Sequence, residues 1–182
     1  IVFNTQEDSG YTLKILDNTN KTNEALYWLE DFIAAKVIED NYFNTNSFLQ
    51  ICKNYSEQVL TEENNVEKNE QIGFMTKSYE YFKNNDIFDE QDFKKNVLKS
   101  PEIIENFSEF KQNYEEAYEI EPKSQFEISD EAVKKGKKYV RSIIKLDKNF
   151  HIYVHAQPDY IEKGFDSAKN LNFYKVYFEH ES

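Results

Sequence analysis

The stretch from Tyr139 to His155 leaves the chain little choice: two runs of alternating apolar and polar residues flank the tight polar segment Asp147, Lys148 and Asn149. That is the pattern of a β-hairpin. Side chains alternate along a strand, so Val140, Ser142, Ile144 and Leu146 share one face, while Phe150, Ile152 and Val154 form an apolar face on the partner strand. Both faces are expected to close the core. The hairpin also has a basic entrance: Lys134, Lys135, Lys137 and Lys138 surround Gly136 just upstream of it. Residues 133–148 hold seven Lys or Arg against one Asp, in a chain whose formal net charge is −12.

A chain of 182 residues is long enough for one domain with a sizeable core and short for two. The reading is a single α+β domain over residues 1–182. Its burial would lean on large rings, because fifteen Phe and thirteen Tyr are present. A mean hydropathy of −0.82 and the lack of any run of about eighteen apolar residues argue against a membrane-spanning helix. Cys52 is the one cysteine, which excludes an intramolecular disulfide and fits a reducing, cytoplasmic compartment. Among Ile51, Tyr55 and Val59 it is more often a small core residue than a nucleophile. The chain opens with Ile1, Val2 and Phe3, without initiator Met or apolar signal segment, and is read as beginning inside a longer protein.

Taken in order, Ile1 to Asn4 and Tyr11 to Leu16 are short strand-like runs around a polar loop containing Gly10. Ala25, Leu26, Leu29, Phe32, Ile33 and Val37 recur at helical spacing, and Phe48, Cys52, Tyr55 and Val59 mark a second helix capped by Asn44 or Thr45. Ile72, Met75, Tyr79 and Phe82 predict a third helix, and Asp89 can cap a short fourth one carrying Phe93 and Val97. Ser100 and Pro101 start the clearest helix, with the stripe Ile103, Phe107, Phe110, Tyr114 and Ala117, and Pro122 stops it. Beyond Pro122 the period becomes two. Phe126 and Ile128 predict a strand, Ser129 to Val133 a capped helical turn, residues 158–164 a short helix, and residues 173–178 a last strand. The expected architecture is an antiparallel sheet built from both ends of the chain, with about five helices inserted over residues 22–120 and a β-rich basic part over 123–182.

The residues exclude most chemistry. His151 and His155 share a strand face, but four residues at about 3.3 Å each set them roughly 13 Å apart, too far to chelate one metal. Thirty-four Asp and Glu are better explained as solvated helix faces than as a catalytic pair. No Gly-rich phosphate loop, Ser elbow, HExxH or CxxC spacing is present, so neither a catalytic residue nor a cofactor is expected. Tyr27 and Trp28 are a stacking candidate, yet a Trp opening an amphipathic helix is more often core.

Charge is segregated along the chain. Residues 1–122 carry 11 basic and 25 acidic side chains, net −14, and residues 123–182 carry 11 and 9, net +2. A phosphate backbone attracts such a basic strip while the acidic half repels it, so Lys134, Lys135, Lys137, Lys138, Arg141, Lys145 and Lys148 are the candidate DNA-contacting residues. On charge alone the favoured reading is that these side chains are solvated, or pair with acidic helices of the same or a neighbouring chain.

Four stretches carry a family resemblance: Ile128 to Lys135, Lys145 to His155, Ile161 to Asp166 and Asn172 to Phe178. Together with Asp17 to Lys21, Glu24, Ala25, Tyr27 and Trp28, they resemble the bacterial nucleoid-associated protein family of the NdpA/YejK kind, in its Bacteroidetes branch. The resemblance implies a cytoplasmic, nucleoid-located protein regarded as DNA-binding, and offers no catalytic residues; self-association is expected separately, from apolar surface left by the strand beginning at Ile1, and other nucleoid proteins are further expected partners. It also implies that this chain is about the C-terminal half of a longer protein, whose N-terminal half is a second place to seek the DNA site. Gly136, Lys137 and Lys138 depart from the less lysine-rich link of the family.

Overall fold

The chain divides into two compact units, residues 1–38 and residues 39–182. The computed structural model describes residues 2–4, 12–14, 38–140, 142–154 and 158–181. In the first unit β1 (Val2–Asn4) pairs antiparallel with β2 (Thr12–Lys14), Phe3 opposite Leu13, as the N-terminal hairpin pattern requires. The helix expected over residues 25–37, with Tyr27 and Trp28, lies outside the described residues.

In the second unit α1 (Asn41–Gln58) starts at Asp40, whose carboxylate accepts the Phe43 N–H at 2.8 Å. Asn44 and Thr45, expected as caps, sit inside the helix and are buried. Their polar atoms serve other ends: the Thr45 hydroxyl donates to the Asn41 carbonyl at 2.7 Å and accepts the Ser129 N–H at 3.0 Å. A capping box of Glu67 and Glu70 opens α2 (Lys68–Asn84). Asp89 caps α3 (Glu90–Phe93) as expected, and one π-helical turn, Lys94–Leu98, prolongs it. Pro101 stands in the first turn of α4 (Pro101–Ala117). Between α2 and α3 the three residues of β3 (Ile87–Asp89) pair antiparallel with β4 (Gln125–Glu127), so Phe88 meets Phe126 with ring centroids 4.7 Å apart.

The core lies among these helices. Phe48, Tyr55, Phe82, Phe88, Phe93 and Phe107 are buried and meet ring against ring without a break, with Phe48 4.3 Å from Phe88 and 5.1 Å from Phe93, and Tyr55 5.1 Å from Phe107. Edge-on and tilted pairs predominate, the arrangement that the ring quadrupole favours. Cys52 belongs to the same cluster, and its burial pushes the thiol well above its usual range.

The hairpin from residue 142 forms in the predicted register: β5 (Ser142–Leu146) pairs with β6 (Phe150–Val154), Ile144 opposite Ile152, around a turn in which Asp147 adopts φ 49°. It covers a second, smaller cluster and not the main core. Ile144, Val154, Ile72 and Ile161 are buried there, with Leu146, Ile152 and Tyr174 packed against them. Phe150, expected inside, is 64% exposed because it stands at the hairpin tip, in the pair next to the turn. The short helix expected over residues 158–164 is a single 3-10 turn, Pro158–Tyr160, followed directly by β7 (Ile161–Asp166). β7 pairs with β8 (Leu171–Val176), and Gly164 there leaves space that the Phe173 ring fills.

The α+β class and the antiparallel pairing are as the periodicity predicts. Among the described residues the strands form four separate two-stranded ladders, β1–β2, β3–β4, β5–β6 and β7–β8, in place of one sheet. The pairing stays within hairpins wherever sequence neighbours suffice, and only β3–β4 closes across an inserted helical segment.

Candidate nucleic-acid interface

The basic segment begins on α5 (Asp130–Gly136), which Ser129 caps by accepting the Ala132 N–H. Ala132, Val133 and Gly136 are its buried residues, and they face the α1 side of the core. The fit is tight at Gly136: a Cβ there would stand 2.7 Å from Cδ1 of Leu49, itself fully buried. The inward stripe of small residues therefore brings α5 close to α1 and turns Lys134, Lys135, Lys137 and Lys138 outward, where all four are exposed. Lys137 and Lys138 lie on the following 3-10 turn, Lys137–Val140.

Partners differ along the strip. Lys135 pairs with Glu131 at 3.0 Å and lies 4.9 Å from the Tyr42 ring centroid; the Glu131 carboxylate and then the Tyr42 hydroxyl hold its ammonium above the usual lysine range. Lys138 stands 5.1 Å over the Tyr139 ring. Lys145 is exposed on β5 opposite His151, and Lys148 is exposed in the turn. Among the described residues, none of Lys134, Lys137, Lys138, Lys145 and Lys148 is in an ion pair. Arg141 and His155 lie outside the described residues.

Elsewhere, several described lysines are taken up by carboxylates, while Lys77, Lys83, Lys95 and Lys99 are exposed without an ion pair among the described residues. Lys53 pairs with Glu57, Lys123 with Glu39, Lys163 with Glu62 and Lys169 with Asp166. The extreme case is Lys111, whose buried ammonium lies 2.8 Å from Glu115 and 3.4 Å from Glu90, while Glu90 also holds Lys94 at 2.7 Å. This network ties α3 to α4, and sequence reasoning misses it. Its local signal is two i, i+4 pairs, Glu90 with Lys94 and Lys111 with Glu115.

Two further features bear on chemistry. A shallow hollow of about 480 Å³ at the end of α4 is lined by Gln112, Glu115, Glu116, Glu119, Ile120 and Pro122, and its carboxylates disfavour phosphate. Among the described residues, no three or more His, Cys, Asp or Glu side chains are grouped to hold a metal, and no helix is long and apolar enough to cross a membrane.

An exposed lysine strip on an acidic chain, with Lys135 alone of its described members in an ion pair, is an arrangement that attracts a polyanion. Compared with known proteins, the chain matches the family model of the nucleoid-associated protein YejK over residues 1–170. No curated protein and no solved structure matches it. A match over almost the whole length shows the family, and the chain therefore belongs to the YejK family of nucleoid-associated proteins.

Proposed function

We propose that this protein is a non-enzymatic component of the cytoplasmic nucleoid that binds duplex DNA through phosphate contacts, with low sequence specificity. The observation that carries the reading is the set Lys134, Lys137, Lys138, Lys145 and Lys148, exposed and free of ion pairs among the described residues. Lys135 and Arg141 complete the proposed contact set. Low specificity follows from composition: the chain has a single Arg, so the bidentate guanine contacts that read sequence are scarce. Lysine ammonium groups contact phosphates as point charges, and such contacts position a protein without informing it of sequence.

The reading is tested by anisotropy titration of a labelled duplex across a salt series. Each neutralised phosphate contributes about −0.9 to the log-log slope, so four contacts give a slope near −3.6. A folded Lys134/Lys135/Lys137/Lys138→Glu variant is expected to lose affinity for all duplex sequences alike. Unchanged binding by that variant at low salt would remove the proposal.

A second reading, a protein-interaction or dimerisation module without direct DNA contact, draws on a different observation. Phe165, Leu171, Phe173, Val176 and Phe178 are exposed on and beside the β7–β8 ladder. The register sets Leu171 and Phe173 on one face of the ladder and Phe165 and Val176 on the other, and exposed apolar pairs of this kind favour self-association. Sedimentation of the parent and of a Phe173→Glu variant separates the two readings, since only the second needs the apolar contact for function.

A further inference from the structure

The β5–β6 hairpin presents two chemically different faces. One carries Ile144, Ile152, Leu146 and Val154 onto the small cluster around Ile72. On the other, the register sets Lys145 opposite His151 and Ile143 opposite Tyr153. Tyr153 is 60% exposed there, His151 and Lys145 are exposed, and Lys148 and the 64% exposed Phe150 mark the tip. The His151 and Tyr153 ring centroids are 6.5 Å apart with planes at 83°, so the rings do not stack on each other.

Rings displayed in this way gain nothing from a phosphate. In a duplex the faces of the bases are already stacked, whereas an unpaired base offers a free π-face. Aromatic side chains flanked by cations that track a backbone are what sequence-tolerant single-strand binding requires. We propose that the outer face of the β5–β6 hairpin is a stacking platform for unpaired bases: Tyr153, with His151 beside it, receives base faces while Lys145 and Lys148 hold the adjoining phosphates. This rests on the nucleic-acid reading above and deepens it. The lysines of α5 and the turn after it serve any phosphate backbone, and the hairpin adds affinity wherever strands are open.

The test compares two probes on the full chain, a labelled single-stranded oligothymidine of about 16 nucleotides and a duplex of the same length. The variants are Tyr153→Ala and Tyr153→Phe, and circular dichroism melting confirms that both remain folded, as the exposure of Tyr153 leads one to expect. Tyr153→Ala is expected to weaken single-strand binding by roughly fivefold to 100-fold while duplex binding stays within about twofold, and Tyr153→Phe is expected to keep both. Equal loss on both probes, no loss on the single strand, or a Tyr153→Phe loss as large as that of Tyr153→Ala overturns the stacking platform. Salt-dependent duplex binding that persists in that event leaves the phosphate reading standing. Failure of the parent to bind either probe removes both.

Discussion

Replacing Phe48 by alanine is the sharpest test of where the stability of the second unit resides. Its ring is buried among Phe82, Phe88, Phe93 and Phe107, at centroid distances of 5.6, 4.3, 5.1 and 6.0 Å. A Phe→Ala change in a packed core costs about 3–5 kcal/mol through lost transfer energy and an unfilled cavity. Because the Phe48 ring packs on four others at once, its removal belongs in the upper half of that range, about 4–5 kcal/mol, since each aromatic pair adds to its area burial. With a urea m-value of about 2 kcal/mol/M, the unfolding midpoint should fall by about 2 M. Phe48→Leu keeps an apolar filling and should lose less than about 1 M. The control is Phe150→Ala, at a ring 64% exposed, where the change in stability should stay within about 0.5 kcal/mol. Urea titration followed by far-UV circular dichroism reads all three. If the Phe48→Ala midpoint moves no further than that of Phe150→Ala, the helical ring cluster is not the core and the reasoning fails.

Two other outcomes are expected. Thr45→Val keeps the shape but leaves the Ser129 N–H without the acceptor it has at 3.0 Å, which should cost about 1–3 kcal/mol and lower the melting temperature by about 2 °C or more; a melt as high as the parent's would show that water replaces the hydroxyl. Lys163 binds Glu62 at 2.7 Å, holding that carboxyl below its usual range and the ammonium above its own, so the pair's contribution is present at neutral pH, fades as pH falls through the folded Glu62 value, and fades at the alkaline end as pH rises through that of Lys163. Because Glu62 is 65% exposed, the contribution stays below about 1 kcal/mol and should shrink with salt; a Lys163→Met variant with the parent's pH profile would contradict it.

What the sequence disclosed depended on how local its cause was. The pairing of the hairpin at 142–154 was legible because alternation and a polar turn fix register without help from the rest of the chain, although Val140, expected on the strand, ends the 3-10 turn Lys137–Val140. The stripe of α4 was legible for the same reason, with Phe107 fully buried, although Ile103 at the open end is 37% exposed. Alternation does not say whether anything stands opposite a face, and so it placed Phe150 inside. β3 was missed because its three residues carry no period of their own; Phe88 becomes a strand residue by meeting Phe126, far along the chain. Thr45 passed for a cap because a buried hydroxyl that joins two elements has the same local signature as one that starts a helix. The lysine strip was visible as a count, but which of its lysines stand apart from carboxylates, and the part of Gly136 in displaying them, were not.

That display has a second physical explanation, and it bears on which lysines carry information about function. α5 has Asp130 and Glu131 in its first turn and Lys134 and Lys135 in its last. This order complements the helix dipole and is favoured by about 0.3–1 kcal/mol per charge with no ligand present. Glu131 also satisfies Lys135 directly, at 3.0 Å. The first two lysines of the strip are therefore partly accounted for by the stability of α5. The dipole effect fades within the last turn, so it does not reach Lys145 and Lys148 on the hairpin, and among the described residues these have no ion pair. A polyanion is the partner that would use them. In the salt titration, substitutions at Lys145 and Lys148 thus separate binding from folding more cleanly than those at Lys134 and Lys135. A loss of slope confined to the α5 pair would point to a destabilised helix, whereas a loss shared by the hairpin pair requires phosphate contact across both elements.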